Sequence, residues 1–400
     1  VEAPPRSAFA VGMAWGLLAA AIWANYTVLA RYAVKAGLSP ADLTLRGAAT
    51  GAVRGSMVVD ADGLGVTFVK TGAVLAADSY TLTLRGAGVR NSAGGLLDGN
   101  SDGVTGDDAS FGFIVAPSTD RILSMGDFMR GPGQDVVVPN NIAGGLHLPL
   151  RLSDGAGAKR LVFELAFDAA LLQLQSVQLA SGITGVVTRT AIAGGERIEV
   201  VRDAPLVAGA VTPLDLVTHV PTGATYGASQ VLDLRNVQLR DAADQPIGVQ
   251  GDDAIHQVGW FMDADGDRAY TMADVQKLQR VIVGNDSGFA AYRNTDPLVI
   301  ADFTGDGRFN SLDANRFQSF VNGTPRAEMP AIPVPAPAPM VAAMSVSEPV
   351  SAPVTVPAAP TPATAARKLP AAPAPAAPVG TTETPRASLV NWDANLPTVP

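Results

Sequence analysis

Two acidic stretches in the second half of the chain place oxygen-bearing side chains at alternate positions and then run into a helix pattern. The first reads DADGDRAYTMADV from Asp263, and the second reads DFTGDGRFNSLDANRF from Asp302. Carboxylates crowded this closely repel one another unless a cation neutralises them. This repeated pattern constrains the fold more than any other feature, because it predicts two similar turns that each close around a cation.

The spacing of the oxygens indicates which cation is bound. A calcium loop of the EF-hand kind uses side-chain oxygens at positions 1, 3 and 5, a carbonyl at 7, a water-linked group at 9 and a carboxylate at 12. Those positions hold Asp263, Asp265, Asp267, Ala269, Thr271 and Asp274 in the first loop, and Asp302, Thr304, Asp306, Arg308, Asn310 and Asp313 in the second. Mg²⁺ demands stricter octahedral geometry and zinc prefers Cys or His, so we expect two Ca²⁺ ions.

The local charge agrees with bound metal. Residues 252–323 contain eleven Asp, no Glu and six Lys or Arg, a net charge of −5 that two Ca²⁺ would largely cancel. Without metal these loops would repel themselves open, so metal binding and folding are expected to be linked. A single acidic turn is more often a solvated loop, whereas the repetition favours the metal interpretation.

An amphipathic helix pattern follows each loop, and no helix pattern precedes either one. The apolar stripes consist of Val275, Leu278, Val281 and Ile282 in the first helix, and of Ala314, Phe317, Phe320 and Val321 in the second. Such stripes mark helices that bury one face, and Gly284 and Gly323 lie where helices commonly end. The pair of loop–helix units over residues 258–323 resembles the type I dockerin family.

The resemblance implies a calcium-dependent module that binds a cohesin-type domain. In dockerins, loop positions 10 and 11 head the recognition helix and select the partner. Those positions hold Met272 with Ala273, and Ser311 with Leu312. The two pairs differ, which weakens the case for two equivalent binding modes. Packing at a helix N-terminus is the alternative interpretation of Met272 and Ala273.

Two residues depart from the family pattern and predict weaker sites. Arg268 stands at the turn position where Gly is usual, and Thr304 replaces an Asp or Asn ligand. A residue other than Gly in a left-handed conformation costs about 1 kcal/mol. We therefore expect Arg268→Gly to tighten calcium binding at the first loop.

A third acidic turn, LLDGNSDGVTGDD, is a weaker metal candidate. Asp98, Asn100 and Asp102 occupy positions 1, 3 and 5, but position 12 is Ala109. Asp107 or Asp108 would have to supply the closing carboxylate. The alternative is a hairpin loop whose Asx side chains cap their own backbone.

Residues 56–116 show the period-two alternation of short strands. In YTLTLRG, Tyr80, Leu82 and Leu84 share one face, the pattern of a half-buried strand. A YTLTL strand before a glycine-rich, acidic loop resembles the C-terminal half of bacterial Ig-like modules. Such sandwiches commonly run to about 100 residues, so we expect a partial module over residues 47–118 without its leading strands.

The chain from residue 119 to 251 repeats this alternation at greater length. In KRLVFELAFD, Leu161, Phe163 and Leu165 face one way, and glycine-rich breaks separate further strands. Many short strands at this spacing predict a β-sandwich. The order of FDAALL, QSVQL and the later VPTGATYG resembles the cohesin-like, carbohydrate-binding-module-like sandwiches of secreted bacterial proteins.

Residues 7–30 carry no charge and are long enough to span a bilayer. We expect a hydrophobic helix within residues 1–46, with membrane anchoring through residues 7–30; a secretory signal is the alternative.

Over residues 10–47 the chain resembles the first transmembrane helix of the drug/metabolite transporter superfamily, in the segment GLLAAAIWANYTVLARYAVKAGLSPADLTLRG. No later stretch is apolar over 18 residues, so we reject transport and expect a chimeric join, a mispredicted start or a borrowed anchor.

The remaining composition completes the expected architecture. Residues 325–400 hold most of the 30 Pro, which predicts a disordered, extended Pro/Ala-rich tail. The fold class is therefore mainly β: β-sandwich modules, then a small all-α calcium-binding loop–helix pair, with an N-terminal hydrophobic helix. The expected domains are 1–46, 47–118, 119–251, 252–324 and 325–400.

These features favour a non-catalytic secreted or surface protein, on the outside of a bacterial cell. Its calcium-bound module would bind a cohesin-type partner in trans, because only about eight residues separate it from the neighbouring sandwich. A net charge of −9 argues against a nucleic-acid partner. The alternatives are a glycoside hydrolase component or a carbohydrate-binding adhesin with a polysaccharide ligand. The first lacks a recognisable catalytic motif, and the second has few aromatics, 6% of residues.

Overall fold

The computed structural model describes residues 27–31, 42–59, 65–89, 95–100, 102–138 and 147–333, with residues 27–31 described as backbone alone. Over these ranges the protein is mainly β, and short helices occur only in its C-terminal part. This confirms the mainly β class and the short C-terminal helices that the sequence predicts. All of these residues belong to one compact unit, residues 1–336.

The first β module contains a four-stranded and a three-stranded antiparallel sheet. The strands are β1 (Thr27–Arg31), β2 (Leu43–Gly47), β3 (Gly51–Val53), β4 (Gly55–Val59), β5 (Gly65–Lys70), β6 (Asp78–Leu84) and β7 (Ala109–Val115). Their orders are β3-β2-β6-β7 and β1-β5-β4. Tyr80, Leu82 and Leu84 are all buried in the common core, as the alternation predicts.

This module contains two strands that the sequence placed in the hydrophobic N-terminal segment. Thr27–Arg31, at the end of the expected membrane span, is extended and pairs along its whole length with β5. Leu43–Gly47 pairs with β6, so the expected boundary at 46/47 falls inside β2. Ladder hydrogen bonds fix an extended conformation in these two segments where an apolar composition alone suggested a helix.

Residues 7–26 and 32–41 lie outside the described part of the chain. Among the helices that the structure does describe, none combines the length and apolar character needed to cross a bilayer.

Residues 121–138 and 147–258 form a β-sandwich of a five-stranded and a seven-stranded sheet. The first sheet has the order β12 (Gln173–Leu179), β15 (Val211–His219), β10 (Leu148–Leu152), β8 (Arg121–Ser124) and β18 (Val249–Asp252). The second has the order β13 (Gly185–Ile192), β14 (Gly195–Arg202), β11 (Arg160–Ala166), β16 (Ser229–Arg240), β19 (Ala254–Val258) and β9 (Phe128–Arg130), with β17 (Pro246–Ile247) beside β16. Leu161, Phe163 and Leu165 are buried between the sheets.

The first two and the last two main strands of the sandwich run side by side. Both segments of chain pass from the five-stranded sheet to the seven-stranded sheet at the same place. β18 pairs in parallel with β8, and β19 pairs in parallel with β9. The Asp127 carboxylate lies at this crossing, where it accepts the Ile255 N–H at 2.8 Å. The sandwich therefore extends to Val258, and the expected boundary at 251/252 falls at the end of β18.

The C-terminal part contains α1 (Met272–Ile282), a 3₁₀ turn (Ala290–Tyr292), α2 (Pro297–Ala301) and α3 (Ser311–Val321). The expected helices after the two acidic loops are α1 and α3. The short α2 precedes the second loop, contrary to expectation. It forms because Pro297 stands in its first turn and Asp296 caps the Leu298 N–H. A helix of five residues is too short to show an amphipathic stripe in the sequence, so the pattern did not predict it.

The C-terminal helices form a core of their own, to which the sandwich contributes Met129. Val275 and Leu278 from α1 pack with Ala314 and Phe317 from α3, and Met129 from β9 is buried in the same cluster. The expected tail also contributes, because Met329 is buried in this cluster. Residues 325–333 are therefore part of the packed unit, and residues 334–400 lie outside the described part of the chain.

The first β module contacts the connection between the two acidic loops. The Arg54 guanidinium lies 2.6 Å from Asp296, whose other carboxylate oxygen accepts the Thr71 hydroxyl at 2.9 Å. The Asp296 N–H donates to the Ser56 hydroxyl at 3.0 Å. Polar contacts of this kind fix the position of the connection between the loops.

Candidate metal centre

The first acidic loop leads from Phe261 into α1 and is closed by the start of that helix. Thr271 is the N-cap and accepts the Ala273 N–H, while the Asp274 carboxylate accepts the Thr271 N–H at 2.8 Å. This capping box stabilises a helix start by about 1 kcal/mol. It also fixes the Asp274 carboxylate inside the loop, because its other oxygen accepts the Ala264 N–H at 2.9 Å.

The opening residue of this loop, Asp263, is held from within the loop in the same way. One of its carboxylate oxygens accepts the Gly266 N–H at 2.9 Å, and the other accepts the Arg268 N–H at 3.0 Å. Asp265 and Asp267 each accept the N–H of the residue two places on. The side chains of the loop therefore hold its turn through hydrogen bonds to its own backbone.

The carboxylates of Asp263, Asp265 and Asp274 converge. Each offers an oxygen within 4.8 Å of the others, and Asp263 and Asp274 are fully buried. Among the described residues, no Lys or Arg lies within ion-pair distance of these three. Desolvation on burial raises the pKa of Asp263, and it raises the pKa of Asp274 to about 6 with a contribution from the neighbouring carboxylates.

Buried carboxylates that converge without a basic partner fit a bound cation. Ca²⁺ takes oxygen ligands and neutralises the charge that burial disfavours. Asp267, predicted as a further ligand, is exposed and does not belong to the group of three converging carboxylates. The backbone carbonyl of Ala269 and the hydroxyl of Thr271 belong to the same turn, and their part in holding an ion stays a prediction. A bound cation would stabilise the ionised form of these carboxylates. The hydrogen bonds of the chain itself already form the turn that would surround the ion.

The second loop repeats the hydrogen bonding of the first with fewer charges. Asp302 accepts the N–H groups of Gly305 at 2.8 Å and Gly307 at 2.9 Å. The buried Asp313 accepts the N–H groups of Thr304 and Asn310, both at 2.9 Å. Asn310 caps α3 in a second capping box. Desolvation raises the pKa of Asp302.

The remaining predicted ligands of this loop, Asp306 and the Arg308 backbone, lie on the exposed side of the turn. Asp306 accepts the Arg308 N–H at 2.9 Å, as Asp267 does with Ala269. Within residues 302–313, which the structure describes in full, Thr304 replaces the third converging carboxylate. The second loop therefore offers less negative charge to a cation than the first.

The left-handed turn expected at loop position 6 is present in both loops. Gly307 has φ +77° and Arg268 has φ +68°, so Arg268 carries the backbone strain that its position predicts. The structure adds a contact that local sequence cannot show: the Arg268 guanidinium lies 4.7 Å from the centroid of the Tyr226 ring. A cation–π contact contributes about 0.5–1 kcal/mol at an exposed site, enough to offset much of the strain.

The predicted partner-binding residues stand at the starts of α1 and α3. Met272 is 40% exposed and Leu312 is 47% exposed, and Ala273 and Ser311 are exposed beside them. The apolar stripes of the helices turn the other way, into the shared core. Two large apolar side chains, one at the start of each helix, are therefore accessible to solvent.

The third acidic turn gathers three carboxylates. Asp98, Asp102 and Asp107 offer oxygens within 4.8 Å of one another, and Asp98 accepts the Gly103 N–H at 2.9 Å. The Asn100 side-chain oxygen accepts the Asp102 N–H at 2.9 Å. Asp108 instead accepts the Gly86 N–H, so Asp107 is the one of the two candidates that joins the cluster.

Sequence reasoning missed Tyr226, which lies 37 residues before the loop that it contacts. Its hydroxyl donates to Asp263 Oδ2 and accepts the Trp260 N–H at 3.0 Å. Tyr226 belongs to the connection between β15 and β16 of the sandwich. No local pattern could have indicated it, because the contact depends on how the two regions pack.

Comparison with solved structures finds cohesin domains that match about a third of the chain. A non-cellulosomal cohesin from Archaeoglobus fulgidus is 11% identical with a TM-score of 0.28, over 35% of this chain and 91% of that one. Cohesin CaCohA2 from Clostridium acetobutylicum is 16% identical with a TM-score of 0.29, over 35% and 90%. The sixth cohesin of scaffoldin B from Acetivibrio cellulolyticus, solved in complex with a mutant Cel5 dockerin, is 16% identical with a TM-score of 0.29, over 35% and 99%.

No protein family profile and no curated protein matches the chain. At these identities and TM-scores, the likeness describes the shape of part of the chain and says nothing of what the chain binds.

Proposed function

We propose that this chain is a non-catalytic module of an extracellular or cell-surface assembly. Two Ca²⁺ ions, one in each acidic loop, hold α1 and α3 in a fixed arrangement that binds a cohesin-type domain of another chain. The observation that carries the proposal is the convergence of the buried carboxylates of Asp263 and Asp274 with the half-buried carboxylate of Asp265, without a basic partner among the described residues.

The placement of the exposed residues favours a partner in another molecule. The core side of the loop–helix unit already packs against the sandwich of its own chain, through Met129 and Tyr226. Met272 and Leu312 face solvent instead. The helix starts are therefore free to contact a separate domain while the intramolecular packing remains intact.

Calcium titration of the full chain tests the metal part of the proposal. After treatment with chelator, calorimetry is expected to show two binding events, and Ca²⁺ is expected to raise the unfolding temperature. A titration without heat, together with an unfolding temperature that chelator does not change, would refute the metal sites.

Binding to purified cohesin domains tests the partner. Met272→Asp with Leu312→Asp should abolish cohesin binding and leave both calcium events intact, because a charge at the centre of an apolar contact is strongly unfavourable. Val283→Asp is the matched control, since Val283 is 68% exposed at the other end of α1. Equal loss with the control variant, or binding that persists in chelator, would contradict the proposed surface.

A further inference from the structure

The sandwich supplies a hydrogen-bonding side chain to the opening carboxylate of the first acidic loop. Tyr226 donates its hydroxyl hydrogen to Asp263 Oδ2, and the hydroxyl oxygen accepts the Trp260 N–H at 3.0 Å. The phenol is thus held on both sides, and it fixes one oxygen of the residue that opens the loop. In the second loop, the described hydrogen bonds to Asp302 all come from that loop itself, from Thr304 to Gly307.

A second contact joins the same two regions. The Arg268 guanidinium lies 4.7 Å from the centroid of the Tyr226 ring, and the Arg268 N–H donates to the same Asp263 oxygen as the phenol, at 3.0 Å. The Tyr226 ring also packs edge-on against Trp260, with ring centroids 5.9 Å apart. Tyr226 therefore contacts the loop at its opening carboxylate and at its strained turn position.

We propose that Tyr226 is a positioning residue for the first metal loop, so that metal binding in that loop and packing of the sandwich against it stabilise each other. This inference rests on the proposed calcium sites. By orienting Asp263 towards Asp265 and Asp274, the phenol prepares three oxygens for the ion. A contact that favours the metal-bound loop must be favoured by the metal to the same extent, because coupling between binding events is reciprocal.

The two loops allow a test with an internal reference in the full chain. Calcium affinity of the first loop is measured in the Asp313→Asn background, where the second loop lacks its closing carboxylate. Affinity of the second loop is measured in the Asp274→Asn background. Tyr226→Phe is expected to raise the Kd of the first loop about five- to tenfold, because it removes a charge-assisted hydrogen bond, and to leave the Kd of the second loop within twofold.

Tyr270→Phe is the matched control. It also removes one phenol oxygen beside the first loop, but in the described residues the Tyr270 hydroxyl is buried without a hydrogen-bond partner. We expect less than a twofold change in either Kd. The calcium-dependent rise in unfolding temperature should likewise be smaller for Tyr226→Phe than for Tyr270→Phe.

The outcomes separate this inference from the function on which it rests. If neither loop of the wild-type chain binds Ca²⁺, both fail. If both loops bind but Tyr226→Phe leaves the first-loop Kd unchanged, or weakens both loops equally, the positioning role is overturned while the calcium sites stand.

Discussion

The two acidic loops have nearly the same backbone and different surroundings. In both, the opening Asp accepts N–H groups across the turn and the closing Asp joins the capping box of the following helix. The first loop has three converging carboxylates, a strained Arg268 and a phenol from the sandwich. The second has Thr304 and Gly307 in the corresponding positions, and the described hydrogen bonds to its opening carboxylate come from within the loop. Residue spacing thus specifies the shape of the turn, and the residue at the third loop position sets how many carboxylates converge. The packing around the loop sets which side chains from elsewhere in the chain contact it.

Removing the closing carboxylate of each loop is expected to have the largest effect on this comparison. Asp274→Asn should weaken calcium binding about 100-fold at the first loop, and Asp313→Asn should do so at the second, because each loses a buried anionic ligand. Calorimetry of the full chain measures both. Asp203→Asn, the same change on an exposed residue of the sandwich, is the control, and an equal effect there would show that only net charge matters.

Restoring the missing carboxylate should bring the calcium affinity of the second loop closer to that of the first. Thr304→Asp is expected to tighten calcium binding at the second loop about tenfold, since affinity of such loops rises with the number of charged ligands. Thr304→Asn supplies an oxygen without the charge and should have a smaller effect. An unchanged Kd with Thr304→Asp would mean that this side chain does not face the ion.

Two desolvated carboxylates away from the loops, the half-buried Asp127 and the buried Asp252, predict a pH dependence of stability that does not involve the loops. Burial raises the pKa of Asp127 to about 7, and burial with the Asp127 charge raises the pKa of Asp252 to about 8, against the attraction of Lys70. The ordinary value for both is 3.8, so the folded state binds more protons and its stability falls as pH rises towards 8. His256, whose pKa burial lowers to about 4, stays neutral in that range.

In chelator, the unfolding temperature is therefore expected to fall by about 5 °C between pH 6.5 and pH 9. Asp252→Asn, which cannot ionise, should flatten much of this slope, whereas Thr304→Asn should not change it. A flat profile in the wild-type chain would show that these carboxylates are solvated. Thermal unfolding followed by circular dichroism makes the measurement.

The smallest expected effect concerns the strained residue. In the wild-type chain, Arg268→Gly relieves about 1 kcal/mol of strain but loses the stack on Tyr226, worth about the same. Calcium affinity at the first loop should change less than about threefold. In a Tyr226→Leu background the stack is absent, so the same substitution should tighten binding about fivefold, as the sequence alone predicts. Equal effects in both backgrounds would show that the stack contributes nothing.

Much of this architecture could be predicted from local patterns. Alternation identified the buried faces of strands such as β6 and β11, and the spacing of Asp263 to Asp274 and of Asp302 to Asp313 identified the turns that bring these residues together. Both signals arise from geometry within a few residues. The same reasoning did not predict strands β1 and β2, because the composition of a segment does not indicate which distant strand it pairs with.

The extent of the modules was also beyond local reasoning. β19 completes the sandwich after the expected end of that domain, and Met329 enters a core from a segment rich in Pro. In both cases some of the contacts are with β9, more than a hundred positions earlier along the chain: β19 pairs with it, and Met329 shares a core cluster with its residue Met129. Composition describes what a segment could bury, but not which distant surface is available to it.

By itself, the sequence determined the two acidic turns, their helices and the alternation of the strands, because spacing along the chain places those side chains on one face or in one turn. Tertiary structure alone decided that Tyr226 meets Asp263, that Met272 and Leu312 remain exposed, and that the first loop is more deeply buried than the second. These outcomes depend on how separate elements pack, since a residue's partners and its exposure to water are properties of the assembled core.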